Sequence, residues 1–252
     1  MKLWEPLYKI EEAEWIVLGI PFAGKVTSSK GCEKAPDSIR KHFQNYWTYD
    51  LKNKRDLFEE RIVDIGNTKS KTYNSLEKEL SKTITGIKKK NPKAKMLFLG
   101  GDHSITPILT KSLNISSYLC LDAHFDLIDK YENQDKNSHA CANRRVYEQN
   151  VKMHLRGVRS SSKEEHEFAE KKKINWQPNF SYNSRVDYFS FDADVMDPAY
   201  TNTGTPEMFG CTPEQAVNTI RNSYFKYFDL VEWIPDKGYP YIIQIIKEVL
   251  LK

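Results

Sequence analysis

Residues 96–126 read MLFLGGDHSITPILTKSLNISSYLCLDAHFD. The two apolar runs in this stretch, Met96–Leu99 and Ser117–Leu121, predict strands that are buried on both faces, because their apolar residues are consecutive instead of alternating. The segment between them, Ile105–Leu113, predicts a helix. A strand, a crossover helix and a second strand form the unit from which parallel sheets are built. This stretch therefore predicts an α/β fold.

The same alternation extends over the rest of the chain. Further strands are predicted at Trp15–Ile20, Ile62–Ile65, Lys152–Val158, Tyr188–Phe191 and Phe228–Val231, and further helices from Pro36, over Tyr73–Lys90, from Thr212–Glu214 and over Tyr241–Leu251. Pro36 and Pro213 favour helix starts, because proline is well tolerated in the first turn. Since no repeat or linker is visible, we expect one domain over residues 1–252, with a mostly parallel sheet covered by helices on both faces.

Composition and charge exclude several classes of function. The chain of 252 residues has a net charge of +4, spread over short runs such as Lys88–Lys90 and Lys171–Lys173. Such runs are typical of solvated helix ends and not of a nucleic-acid interface. No apolar run is long enough to cross a bilayer, and the charged residues of Met1–Glu14 argue against a secretory signal. The four cysteines form no CxxC pair, which predicts free thiols in a reducing cytoplasm.

Three polar clusters follow directly on predicted strands. They are Gly100–Ser104, Asp122–Asp126 and Asp192–Asp194. The carboxyl ends of parallel strands lie at one edge of a sheet, where the binding sites of such folds are found. We therefore expect the three clusters to form one site.

The spacing within these clusters predicts a cation site. Asp122, His124 and Asp126 lie two positions apart, as do Asp192 and Asp194, and in an extended chain such side chains point to the same face. Burying clustered carboxylates without partners costs several kcal/mol, so a cation or bound protons are required. Carboxylates with a few imidazoles and no thiolate suit manganese best, while zinc prefers more nitrogen or sulfur. The number of groups suits two metals about 3.5–4 Å apart better than one.

Each cluster also has a purely structural interpretation. Asp102 or Ser104 would cap a helix, the second cluster would be a solvated strand end, and Asp192 with Asp194 would cap a turn. A shared site explains all three clusters at once, whereas the structural interpretation needs a separate reason for each.

The three clusters resemble the three metal-binding motifs of the ureohydrolase family, which includes arginase and agmatinase. The resemblance covers nearly the whole chain, because Ile20–Phe22, Gly31–Arg40, Gly204–Glu207 and Phe228–Pro235 are similar to further segments of that family. It implies a three-layer α/β/α sandwich of the arginase type, a homo-oligomer (trimer or hexamer) and two Mn²⁺ ions as cofactors. It also implies hydrolysis of a guanidino compound, with agmatine as first choice, to urea and an amine.

The resemblance assigns one metal to His103, Asp122, Asp126 and Asp192, and the other to His124, Asp122, Asp192 and Asp194. It makes Glu232 the carboxylate that binds the guanidinium and His139 the proton shuttle, and Asp126 would pass a proton to the leaving amine. Without the family, Glu232 is also interpretable as a solvated residue after a strand, and His139 as an ordinary loop histidine. The chain departs from the family at Ala140 and Cys141, since the usual glycine after the histidine is missing, and there it resembles archaeal agmatinase-type members.

The loop Leu127–Ser138 bears on the substrate. Where arginases place an asparagine and a serine, this chain has Ile128 and Asp135. An aspartate facing the α-carboxylate of arginine would repel it, and Asp129 and Glu132 would attract the ammonium of agmatine. The loop therefore favours agmatine over arginine and over other guanidino acids.

Some observations oppose or compete with this interpretation. Lys130 and Lys136 lie in the same loop and would attract a carboxylate. A two-metal phosphoesterase also uses Asp and His at strand ends, although an acid-rich cluster disfavours an anionic substrate. A non-catalytic member of the family is the alternative outside enzymes.

Overall fold

The computed structural model describes residues 2–3, 7–52, 54–132 and 135–252. Its strands are β1 (Trp15–Gly19), β2 (Tyr49–Asp50), β3 (Arg55–Asp56), β4 (Ile62–Asn67), β5 (Lys95–Leu99), β6 (Ser117–Leu121), β7 (Lys152–Arg156), β8 (Asn175–Gln177), β9 (Tyr188–Asp192) and β10 (Tyr227–Val231). Its helices are α1 (Ala35–Phe43), α2 (Tyr73–Lys90), α3 (Thr106–Leu113), α4 (Ala142–Tyr147), α5 (Lys163–Lys172), α6 (Pro213–Asn222) and α7 (Tyr239–Leu250). Each element predicted from the sequence is present, with bounds that differ by no more than two residues.

Eight of these strands form one parallel sheet in the order β4-β1-β5-β10-β9-β6-β7-β8. The predicted parallel arrangement is therefore confirmed. β2 and β3 pair with each other in an antiparallel ribbon outside this sheet. The central strands are apolar at consecutive positions because both of their faces are covered.

The core lies in two layers, one on each face of the sheet. On one face, Ile39 of α1, Ile220 of α6 and Ile246 of α7 pack with apolar side chains of the strands. On the other face, Leu80 of α2 and Leu109 of α3 do the same, together with residues of α4 and α5. The fold is thus the expected three-layer α/β/α sandwich.

The helix starts follow from the local sequence. Thr72 caps α2 and Thr212 caps α6 by accepting a backbone N–H of the first turn, and Pro213 opens α6 as predicted. The buried Arg40 of α1 donates to both carboxylate oxygens of Asp64 in β4, at 2.8 and 2.9 Å. This contact joins α1 to β4 in a place where an unpaired charge would be costly.

The elements that the sequence did not predict are α4, α5, β8 and the β2–β3 ribbon. α5 reads KEEHEFAEKK, and its two buried residues, Glu165 and Ala169, do not form a recognisable apolar stripe. β8 has three residues at the edge of the sheet, and β2 and β3 have two each. Such short elements contain too few residues for a periodic pattern.

Three expectations from composition can be compared with the structure. The lysine runs lie in the last turns of α2 and α5, as predicted. All four cysteines are free and buried. Within the described part of the chain, no helix is both long and apolar enough to cross a membrane.

Candidate active site

The three polar clusters meet at the carboxyl ends of adjacent strands. β5, β10, β9 and β6 are consecutive in the sheet. His103 lies just beyond β5, Glu232 directly follows β10, Asp192 ends β9, and Asp122 directly follows β6. The predicted single site is therefore formed by four neighbouring strand ends, and Glu232 belongs to it.

Close backbone packing holds the base of the site together. A Cβ atom at Gly101 would collide with the backbone carbonyl of Phe22, so glycine is required there. The carbonyl of Gly101 accepts the N–H of Glu232 at 2.8 Å. Glu232 itself has a φ of +62°, a left-handed conformation that is uncommon for a glutamate. Strained backbone conformations of this kind occur mainly at functional sites, where the surrounding structure fixes the direction of a side chain.

His103 faces three carboxylates through one ring nitrogen. Its Nδ1 lies 2.8 Å from Asp126 Oδ2 and 3.4 Å from both Asp122 Oδ2 and Asp192 Oδ2. The histidine is fully buried, and the three aspartates are at most 9% exposed. One N–H can satisfy only one of these carboxylates well, so the others lack a positive partner at this nitrogen.

His124 occupies the neighbouring position. Its Nδ1 lies 2.9 Å from Asp194 Oδ2 and 3.7 Å from Asp122 Oδ1. Donor atoms of Asp122, His124 and Asp194 all lie within 4.8 Å of one another. Asp122 therefore contacts both histidines, one through each of its oxygens.

The route by which the side chains converge differs from the predicted one. Asp194 lies in a 3-10 turn, Ala193–Val195, whose start is capped by Asp192 Oδ1 accepting the Asp194 N–H at 2.9 Å. Asp126 has a φ of +50°. The chain is not extended at either residue, so alternation along a strand is the wrong explanation for their convergence. Tight turns after the strand ends direct these carboxylates inward.

Burial and mutual repulsion perturb the carboxylates of the cluster. Burial, with repulsion from Asp122, raises the pKa of Asp126 to about 6. Burial, with repulsion from Asp194 and Asp122, raises the pKa of Asp192 well above its usual value. Burial would also raise the pKa of Asp122, but hydrogen bonds from His103 and His124 outweigh it and hold this pKa low.

The histidines show the complementary effect. Burial opposes the protonation of His103, yet the carboxylates of Asp122 and Asp126 outweigh it and raise its pKa well above the usual range. Burial also opposes the protonation of His124, but the carboxylates of Asp194 and Asp122 outweigh it and raise the pKa of this histidine. Without a metal ion, the cluster must hold protons at neutral pH to offset its negative charge.

The donor set fits divalent metal ions. It offers four buried carboxylates, the buried imidazole of His103 and the partly exposed imidazole of His124. Each histidine directs Nδ1, an atom that can bind a metal, toward oxygen atoms of the carboxylates. Hard and borderline divalent cations prefer this mixture of oxygen and nitrogen ligands.

Glu232 and His139 form a pair beside the cluster. Glu232 Oε1 accepts the N–H of His103 at 2.7 Å and lies 3.0 Å from His139 Nδ1. Thr27 donates its backbone N–H to His139 Nε2 at 3.2 Å, and its hydroxyl lies 2.7 Å from the same atom. These contacts place a hydrogen on Nδ1. Burial opposes a second proton, but Glu232 outweighs it and raises the pKa of His139 to about 9.

A second hydrogen-bond network, which the sequence analysis missed, orients His103. The Oγ atom of Ser190 lies 3.3 Å from His103 Nε2 and donates to Asp229 at 2.6 Å. Asp229 also accepts the hydroxyls of Tyr188 and Thr106 at 2.7 and 2.6 Å. Partners of this kind set the tautomer and orientation of a metal-binding histidine. Their signal in the sequence was alternation along β9, because Tyr188, Ser190 and Asp192 are two apart.

Cys120 is another residue that sequence reasoning left out. Its Sγ lies 3.8 Å from Asp122 Oδ2 and 3.9 Å from His103 Nε2. Burial raises the pKa of this thiol to about 11, so it stays protonated at neutral pH. Donor atoms of Cys120, His103 and Asp122 lie within 4.8 Å of one another, so the thiol borders the predicted metal site.

The charge argument for the loop Leu127–Ser138 is corrected by the structure. Asp135 accepts a 2.7 Å hydrogen bond from Lys25, and Asp129 accepts one of 2.8 Å from Arg145. Both carboxylates are therefore neutralised within the protein. The sequence could not predict this, because it does not show which cations lie opposite them. Asn133 and Gln134 of this loop lie outside the described residues.

The structure also shows the conformations of Asp102 and Ala140. Asp102 does cap the turn His103–Ile105, as its structural interpretation held, by accepting the N–H of Ser104 at 3.1 Å. Ala140 lies in a 3-10 turn, His139–Cys141, and its φ is not positive. Alanine therefore fits at the position where the family usually has glycine.

A parallel α/β sandwich with carboxylates and imidazoles gathered at four adjacent strand ends is typical of metal-dependent hydrolases. The comparisons with known proteins agree. The model of the arginase family matches residues 13–187 and 179–240. An N(1)-aminopropylagmatine ureohydrolase of Thermococcus kodakarensis is 34% identical over 251 residues, which cover 94% of this chain and 83% of that protein.

An agmatinase of Pyrococcus horikoshii is also 34% identical, over 244 residues that cover 91% of this chain and 81% of that protein. The structure of the agmatine ureohydrolase of Thermoplasma volcanium superposes with a TM-score of 0.87 at 25% identity, covering 99% of this chain and 92% of that one. The chain belongs to the arginase family. The resemblance inferred from the sequence is thereby confirmed, and the chain is a ureohydrolase that acts on an amidino compound.

Proposed function

We propose that the protein hydrolyses agmatine to urea and putrescine with two manganese ions. The convergence of both histidine Nδ1 atoms on carboxylates, with Asp122 shared between them, is the observation that carries this proposal. One ion is assigned to His103, Asp122, Asp126 and Asp192, and the other to His124, Asp122, Asp192 and Asp194. A pair of divalent ions lowers the pKa of water, so that hydroxide is available near neutral pH.

The substrate is oriented by Glu232. The hydrogen bonds that this carboxylate accepts within the described residues both reach Oε1, which leaves Oε2 as an acceptor for the planar guanidinium. Glu232 is 3% exposed, so a charge-assisted bond made there is little weakened by water. This contact would hold the guanidinium beside the carboxylate cluster, where the bound ions would supply hydroxide for its hydrolysis.

Proton transfer is the second task of the protein. Asp126 is assigned the transfer of a proton from the attacking water to the leaving amine. His139 exchanges protons with solvent through the hydroxyl of Thr27, which lies 2.7 Å from Nε2 at the exposed surface. The carboxylate of Glu232 stabilises the extra proton on His139.

N(1)-aminopropylagmatine is the second candidate substrate. The relative that bears this substrate in its name is as similar to this chain as the agmatinase of Pyrococcus horikoshii, at 34% identity. Both compounds have a chain that ends in a cationic amine and carries no carboxylate, whereas arginine and guanidino acids carry a carboxylate. The choice between them rests on groups outside the cluster itself.

A urea-release assay tests the proposal. Protein loaded with manganese is given agmatine, N(1)-aminopropylagmatine, arginine and 4-guanidinobutyrate. We expect kcat/KM for one of the first two to exceed that for arginine by at least roughly tenfold, a difference of about 1.4 kcal/mol. An arginine value equal to or above that of both would overturn the substrate and leave the ureohydrolase class intact. Absence of urea with every compound would overturn the proposed function.

The affinity for manganese is expected to fall as the pH falls. Burial and repulsion raise the pKa of Asp126 to about 6 and hold that of Asp192 well above its usual value, and the neighbouring carboxylates raise the pKa of His103. These protons must leave when a cation binds, so lower pH favours the proton-bound, metal-free cluster. The apparent association constant should drop by about tenfold per pH unit for each proton released. Calorimetric titration with Mn²⁺ between pH 5.5 and 8 measures this slope, and a flat profile would contradict the ligand assignment.

We also infer a trimeric or hexameric assembly in the cytoplasm. Free, buried cysteines favour a reducing compartment, and the large exposed side chains of Trp47, Leu51 and Phe209 favour contact with further subunits. Light scattering coupled to size-exclusion chromatography measures the mass, and a monomer at micromolar concentration would contradict the assembly.

A further inference from the structure

Glu207 lies at the rim of the site, and the imidazole ring of His124 separates it from the carboxylate cluster. The Nδ1 atom of His124 lies 2.9 Å from Asp194, and its Nε2 lies 3.5 Å from Glu207 Oε1. The side chain of Glu207 is 37% exposed, whereas those of His124 and Asp194 are 23% and 2% exposed. Glu207 therefore occupies the position where the buried cluster meets solvent.

The carboxylate of Glu207 has unfilled capacity for a cation. Within the described ranges, it accepts no hydrogen bond and has no Lys or Arg nitrogen within 4.0 Å, and His124 is the one charged or titratable partner it contacts. Two acidic residues of the loop Leu127–Ser138 differ in this respect, because Asp129 is paired with Arg145 and Asp135 with Lys25. Of these three carboxylates, Glu207 is the one left available to a positively charged ligand.

The backbone around Glu207 is held in place by Arg159. The Nη2 atom of this residue donates to the carbonyls of Glu207 and Asp194, at 3.0 and 2.8 Å, and its Nε donates to Met208 at 2.8 Å. One guanidinium thus joins the segment of Glu207 to the segment of Asp194. Because Arg159 is engaged by backbone carbonyls, it fixes the position of Glu207 without forming an ion pair with its carboxylate.

We propose that Glu207 binds the cationic end of the substrate chain and so selects guanidines that end in an ammonium group. This inference rests on the proposed function, since it concerns the part of the substrate that remains after the guanidinium is held at Glu232. An ammonium at the rim would meet a carboxylate that has no Lys or Arg partner among the described residues, while a carboxylate there, as in a guanidino acid, would be repelled. Selection for agmatine-like chains is thereby assigned to Glu207 and not to Asp135.

The test compares Glu207→Gln with the wild type on agmatine and on 1-butylguanidine, which has the same four-carbon chain and lacks the terminal ammonium. We expect KM for agmatine to rise about five- to tenfold, as for a charge-assisted contact that is partly exposed to water, with kcat within about twofold. The inhibition constant of 1-butylguanidine against agmatine, which needs no turnover of the analogue, should stay unchanged. Glu214→Gln, in the exposed first turn of α6, is the matched control and should alter neither value.

Each other outcome has a definite meaning. A lower kcat for agmatine together with weaker inhibition by 1-butylguanidine would overturn the inference, because Glu207 would then act through His124 on the metal site. Unchanged KM for agmatine would also overturn it. Urea release from agmatine by the wild type tests the proposed function separately, so a failure confined to Glu207→Gln leaves that function standing.

Discussion

Replacing Asp192 by asparagine is expected to remove nearly all turnover together with at least one manganese ion. Asp192 contacts His103 through Oδ2 and caps the turn of Asp194 through Oδ1. We propose that it is shared by both ions, so the change removes one negative charge from two coordination spheres at once. Groups that merely orient metal ligands are worth about 10- to 100-fold, and a shared ligand should exceed that range. The ions are counted by inductively coupled plasma mass spectrometry on the same sample used for kcat.

A control for this variant lies at the other end of the same strand. Asp187 precedes β9 and accepts the N–H groups of Ser116 and Ser117 at 2.7 and 3.0 Å, away from the cluster. Asp187→Asn should therefore keep both ions and its turnover. If Asp192→Asn also kept two ions and wild-type kcat, the shared-ligand assignment would be wrong.

Glu232→Gln is expected to keep both manganese ions and lose most of its kcat/KM. A glutamine Oε1 can still accept the N–H of His103 and the hydrogen on His139 Nδ1. Its amide NH₂, however, would take the place of Oε2 and present a donor to the guanidinium, which has donors alone. A lost charge-assisted bond costs about 1.5–3 kcal/mol, or roughly 10- to 150-fold in kcat/KM, and a buried mismatch adds to this.

Steady-state kinetics and metal content together decide the role of Glu232. Glu214→Gln again serves as a control for a glutamate far from the cluster. A variant with two ions and nearly full kcat/KM would show that Glu232 does not bind the guanidinium. Loss of the ions would instead assign it a role in holding the metal site.

Much of the fold was predictable from local sequence. The apolar runs of β5, β6 and β9 predict buried strands, since a strand covered on both faces must be apolar at consecutive positions. The missed elements, such as α5, carry charged or very short sequences whose structure depends on what they pack against. Glu165 of α5 illustrates this, because it accepts the N–H of Leu127 at 2.9 Å and so supports the segment after Asp126.

The residues of the candidate site were identifiable because their chemical types are rare together. Four aspartates and two histidines after apolar strands have few explanations apart from a cation, and the family resemblance pointed to the same residues. Their roles as ligands stay predictions. The geometric reason offered for their convergence was wrong at Asp126 and Asp194, because backbone turns, which depend on long-range contacts, replace the extended chain there.

The sequence by itself therefore determined most of the strands and helices, the family, and which side chains are candidates for the chemistry. Only the tertiary structure decided which charges neutralise one another. Lys25 is 110 positions from Asp135, and His124 is 83 positions from Glu207, so neither contact leaves a trace in the local pattern. Electrostatic energy depends on distance in space, and that distance is set by the packing of loops at the strand ends. The proposed selection for an ammonium-bearing substrate at Glu207 follows from that packing.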